Sequence, residues 1–111
     1  MPSAREERIA LNEALFRTAN ERAAAWEERH EEGAEVELYQ CECADLTCRK
    51  KVPLGKPEYE RVRQDRTLFF VVPGHEIPDV ETVVEEHEGW AVVRKAPETH
   101  AIVEATDERS S

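Results

Sequence analysis

All three cysteines of the chain fall within eight residues, at Cys41, Cys43 and Cys48. On an extended segment Cys41 and Cys43 face the same side, because strand side chains alternate with a period of two. The four residues before Cys48 are enough for a turn that brings it back toward them. Where thiols stay reduced, such a cluster binds metal rather than forming disulfides. The constraint is strong because the chain has only 111 residues. A domain of this size buries only about two-thirds of its unfolded surface and sits near the margin of stability. A structural metal ion can supply the folding free energy that so small a core lacks.

Three thiolates leave a tetrahedral site one donor short. The chain offers His30, His75, His87 and His100. His75 is the favoured fourth ligand. It sits in Val71-Val72-Pro73-Gly74-His75-Glu76-Ile77-Pro78, where Pro73 limits the approach and Gly74 permits a sharp turn after an apolar strand. His30 belongs to a helix, His87 to a hairpin turn and His100 to the C-terminal tail. Another side chain, or no fourth protein ligand, completes the alternatives, and the bland reading of His75 is a loop histidine bonded to backbone. The expected site is therefore Cys41, Cys43, Cys48 and His75 around a structural Zn2+. An iron–sulfur cluster is the alternative cofactor, disfavoured because C-x-C-x4-C with a remote histidine does not follow the usual cluster spacings. Arg49, Lys50 and Lys51 follow the last cysteine and can offset the anionic thiolates.

The front of the chain reads as one long helix. Ser3-Ala4-Arg5-Glu6 fits a capping box, and Glu6 and Glu7 stand where the helix dipole favours negative charge. No Pro or Gly follows until Gly33, the expected stop. The apolar seam is read as Ile9, Asn12, Phe16, Ala19, Ala23, Trp26 and His30, with Leu11 and Leu15 beside it. A helix over 4–32 would be about 43 Å long, against a radius of gyration of about 13 Å for such a domain. It either packs along the β core or pairs with a partner helix or another copy. Asn12 in the seam suits pairing, since a buried Asn can fix register.

After Gly33, residues 35–40 alternate as a strand. Pro57 to Asp65 reads as a short helix with Pro at its first position, placing Tyr59, Val62 and Arg66 on its packed face. Residues 67–72 form a strand by β-branched and aromatic content. Thr82–Glu86 and Trp90–Arg94 form a hairpin across His87-Glu88-Gly89. The expected fold class is α+β: a long N-terminal helix (1–33), then a small antiparallel β unit with one short helix stapled by the metal site (34–97). A polar C-terminal tail (98–111) closes the chain, with Ile102 and Val103 available to dock.

The net charge is −10, but it is uneven. Residues 49–66 carry Arg49, Lys50, Lys51, Lys56, Arg61, Arg63 and Arg66 against Glu58, Glu60 and Asp65, a net +4. A chain this acidic opposes approach to phosphate, which speaks against nucleic acid. No apolar run approaches the roughly 18 residues of a membrane span, and the start shows no signal-peptide core, so a cytoplasmic location is expected. No phosphate loop or nucleophile triad can be placed. The resulting expectation is a zinc-stabilised binding or regulatory module, meeting a protein partner or another copy through the N-terminal helix or the basic 49–66 surface. A thiol-based redox or metal sensor is the alternative, and a zinc-dependent enzyme with Glu76 as base is the weaker one.

The spacing Cys41-x-Cys43-x4-Cys48, the run Tyr59-Glu60-Arg61-Val62-Arg63 and the run Phe69-x-x-x-Pro73-Gly74-His75-Glu76 together resemble a group of small, largely uncharacterised bacterial proteins. The likeness covers roughly residues 36–95, with Asn12-Glu13-Ala14-Leu15-Phe16-Arg17 as a weaker extension. It implies that His75 accompanies the cysteines, and it implies no activity.

Overall fold

Ser3 begins the structure as a helix cap. Its Oγ accepts from the Glu6 N–H at 3.1 Å, and Glu6 Oε1 accepts from the Ser3 N–H at 3.1 Å. The reciprocal pair satisfies two amides that the first turn leaves without partners. The computed structural model of the chain describes residues 2–30 and 36–107, excluding the side chains of 26–30. Helix α1 runs Ala4–His30, about 40 Å at the usual rise. That length is accommodated because the molecule is elongated, with a longest extent of 42 Å and a radius of gyration of 13.3 Å. The expected stop at Gly33 lies outside the described residues.

The face that α1 buries shares only Ile9 with the described part of the apolar seam read from the sequence; the side chains of Trp26 and His30, also assigned to that seam, lie outside the described residues. Buried are Ile9, Ala10, Glu13, Ala14, Arg17, Asn20 and Ala24, whereas Leu11 and Leu15 are 48% and 59% exposed. Ala19 and Ala23 are also exposed, and Phe16 is half-buried. The reason is polar. Arg17 sends Nη2 to Val103 O at 2.6 Å and Nη1 to Arg66 O at 2.8 Å, with its guanidinium 4.7 Å from the Phe69 ring centre. Asn12, expected as a register residue for a partner helix, instead donates Nδ2 to Ala44 O within the chain at 2.9 Å.

Strand β1 (Glu37–Gln40) pairs antiparallel with β2 (Lys51–Leu54), with Leu38 opposite Pro53. Sequence reading left β2 out, since it starts on a lysine pair and contains proline. Pro53 fits because hydrogen-bonded pairs alternate along an antiparallel ladder. Cys41 N donates to Lys50 O at 3.0 Å, so Tyr39 opposite Val52 is also a bonded pair and Leu38 opposite Pro53 is not. Helix α2 (Lys56–Arg63) follows, with Pro57 in its first turn. Its buried residues are Tyr59, Val62 and Arg63; Arg66, expected on that face, is exposed.

A second sheet has the order β3-β5-β4, all antiparallel, from Leu68–Val71, Glu81–His87 and Trp90–Lys95 in chain order. The expected hairpin is present. Gly89 closes it at φ +85°, a conformation costly for residues with a Cβ, with the Pro53 ring close by. All of β3 is buried, so its alternate residues feed two cores. Phe70 joins the stacked Tyr39 and Tyr59, whose ring centres are 4.4 Å apart. Phe69 and Val71 lie in the other core with Ala10, Val103 and the three cysteines. The segment read as a polar tail forms a 3-10 turn at Pro97–Thr99 and helix α3 at His100–Ala105. Val103 is fully buried and Ile102 packs beside it. No helix among the described residues is long and apolar enough to cross a membrane.

Candidate metal centre

Beyond β1 the chain stays extended and is held on both sides. Cys41 N bonds to Lys50 O, and Glu42 N bonds to Phe70 O at 2.9 Å. The segment therefore bridges the two sheets, and strand alternation sends its side chains opposite ways. Cys41 and Cys43 face the candidate site, while Glu42 points into the core. The chain then turns: Cys48 N bonds to Asp45 O at 2.9 Å, and Asp45 Oδ1 accepts from both the N–H and the hydroxyl of Thr47. Those two Thr47 donors hold the Asp45 carboxyl below its usual range. Gln40 Nε2 fastens the loop by donating to the carbonyls of Cys41 and Cys48.

His75 arrives from the far end of β3 by a turn in which its N–H bonds to Val72 O at 2.9 Å. Gly74 takes φ +96° in that turn, and no atom crowds its Cβ position, so the backbone angle rather than space requires glycine. The Glu76 carboxylate accepts from the Gly74 N–H at 2.9 Å. The ring's Nδ1 lies 3.6 Å from Cys41 Sγ and 3.8 Å from Cys48 Sγ. The donor atoms of Cys41, Cys43, Cys48 and His75 all lie within 4.8 Å of one another. Tetrahedral zinc with bonds of about 2.3 Å to sulfur and about 2.0 Å to nitrogen would separate sulfur from nitrogen by about 3.5 Å. The arrangement could therefore hold a metal ion such as zinc.

The electrostatics suit a thiolate set. Val72 N–H donates to Cys41 Sγ at 3.2 Å, which supports charge on a sulfur taken out of water. A hydrogen bond from Cys41 is the main cause that brings the Cys43 thiol down to about 5, aided by His75. The same bond, together with burial, pushes Cys41 up. Cys41 and Cys43 thus share a proton unequally, with the thiolate form favoured at Cys43. A metal ion would displace the remaining protons, since thiolate is the ligand form.

Two of the other histidines, His87 and His100, are engaged elsewhere. His87 stacks on Trp90 with ring centres 3.9 Å apart and contacts Glu85 Oε1 through Nε2 at 2.8 Å. His100 Nε2 lies 2.9 Å from Lys95 O. The side chain of His30 lies outside the described residues. Among the described residues no second cluster of three or more potential ligands is present.

Sequence reading missed the support behind the site. Glu42 receives a bidentate pair from Arg63, at 2.6 and 3.0 Å, with side chains 0% and 2% exposed. Asn20 Nδ2 and the Phe70 N–H also donate to it. A carboxylate between two cysteines facing one way must face the other, and that alternation was the available signal. Comparison with protein-family models, curated proteins and solved structures found no match to this chain.

Proposed function

We propose that the protein is a small zinc-stabilised binding or regulatory module whose Cys41, Cys43, Cys48 and His75 hold one structural Zn2+. The convergence of four donors on one point carries this reading. A catalytic zinc keeps a position open for water, whereas four protein ligands fill a tetrahedral shell. The compactness of the donor set suits a single ion better than a two-iron cluster, whose ligands are divided between two metals. Burial of all three cysteines weighs against a redox sensor, because thiol oxidation needs access. Reduced thiolates of this kind suit a reducing compartment such as the cytoplasm.

The metal's contribution to folding is the test. Thermal unfolding is measured with protein purified without added metal, before and after a strong chelator. An ion bound well below its free concentration adds about 4 kcal/mol or more, so chelation should lower Tm by at least about 15 °C, and zinc alone should restore it. An unchanged Tm would defeat the structural-zinc reading.

A further inference from the structure

We propose that the groove between α1 and β1 docks an acidic segment of a partner protein that carries apolar side chains. The inference rests on the binding-module reading and names the surface and the chemistry of the partner. Sequence analysis offered the N-terminal helix and the basic 49–66 stretch as alternative contact regions. In the fold they line the same groove of about 410 Å³.

One wall is the face of α1 that sequence analysis assigned to a seam, with Phe16, Ala19 and Ala23 lining the groove. The opposite wall is Leu38 of β1 and Leu46 of the cysteine loop, 68% and 47% exposed. Large side chains so open, gathered on one groove, mark an interaction site rather than scattered surface residues. Leu46 lies between Cys43 and Cys48, so the metal fixes that wall.

The rim supplies the sign of the partner. Arg49 and Lys51 border the groove. Arg49 donates only to the carbonyls of Leu46 and Cys48, and Lys51 to the Gln40 amide oxygen at 3.3 Å. Neither has a carboxylate partner among the described residues. By contrast, Arg5 pairs with Asp79, Arg61 with Glu85 and Arg94 with Asp65. Positive charge with no close ion pair beside an apolar floor, the exposed Asp45 carboxylate being the acid that feels Arg49, in a chain of net charge −10, complements an acidic, apolar-bearing peptide. A second copy would bring another −10 to the contact, and nucleic acid would not need the leucines.

The experiment selects from a library of random short peptides displayed on phage, using full-length zinc-loaded protein, and measures fluorescein-labelled winners by anisotropy. Winners should be rich in Asp or Glu and in large apolar residues. Leu38→Asp and the charge reversal Lys51→Glu should each weaken them about tenfold, with zinc content unchanged. The proposal is overturned if no peptide is selected, if winners lack acidic residues, or if both variants bind as the parent does. It is equally overturned if Leu38→Asp converts a dimer to monomer, which makes the occupant a second copy. Single-stranded DNA binding lost on charge reversal but kept by Leu38→Asp would also overturn it. Zinc content on the same samples separates the two ideas: failed selection by zinc-loaded protein removes the docking surface alone, while absence of zinc removes the module reading.

Discussion

Arg63 of α2 and Glu42, the residue between two cysteines, form a bidentate ion pair of 2.6 and 3.0 Å behind the metal-ligand loop. The guanidinium also lies 4.7 Å from the Phe70 ring centre and 5.3 Å from that of Tyr59. One short segment thus presents sulfur to the site and carboxylate to the core, so the loop and the core are held by the same three residues.

Removing one partner of that pair strands a charge in the interior. Arg63→Met is expected to cost about 3–5 kcal/mol in urea unfolding of metal-loaded protein. A loss below about 1 kcal/mol, the level of an exposed pair, would show that the pair is not buried as described.

Asn20 completes the support. Its amide bonds the backbone of Gln40 in both directions at 2.9 Å and donates to Glu42 at 2.9 Å, standing in for a neighbouring strand. Asn20→Ala leaves several buried groups unmatched and should cost roughly 2–4 kcal/mol, whereas Asn12→Ala, with one half-buried bond, should cost about 1. Equal losses in urea unfolding would contradict this division.

A second buried cluster predicts an unusual pH dependence. Lys95 Nζ lies 2.6 Å from Glu13 Oε1 and 3.1 Å from Glu81 Oε1, with all three side chains withdrawn from water. Glu81 also accepts from the Ile77 N–H, and neither Glu13 oxygen accepts a well-aligned hydrogen bond. Burial first, then the hydrogen bond and charge of Glu81, raise the Glu13 carboxyl well above its usual 4.5. Folded Glu13 therefore keeps its proton to higher pH than the unfolded chain does. Its stability contribution is full below about 4.5 and falls as pH rises toward the folded value. Glu13→Gln removes that loss, so the variant should gain on the parent in urea midpoints as pH rises above about 4.5. A gap that stays constant or shrinks would contradict a protonated Glu13.

These polar interactions also explain where the sequence was readable. The capping box at Ser3, the strand at Leu68–Val71, the hairpin around Gly89 and the grouping of Cys41, Cys43, Cys48 and His75 were legible, because each has a local signature. The buried side of α1 was not. Glu13, Arg17 and Asn20 look like solvent-facing residues until their partners Lys95, Val103 and Glu42 are known, and those partners lie far away in sequence. Hydrophobic periodicity therefore drew Phe16, Ala19 and Ala23 into the seam with Leu11 and Leu15 beside it, and of these only Phe16 is even half-buried. Strand β2 was hidden because the harmless parity of Pro53 depends on pairing with β1. Helix α3 has only six residues, and its docking through Val103 depends on α1.

The central claim is tested most directly by elemental analysis of the full chain purified without added metal, beside Cys43→Ser prepared identically. The account predicts one zinc per parent chain, and in the variant a zinc content well below one with a lower Tm. A parent free of zinc, or a variant that retains stoichiometric zinc and full thermal stability, would contradict it.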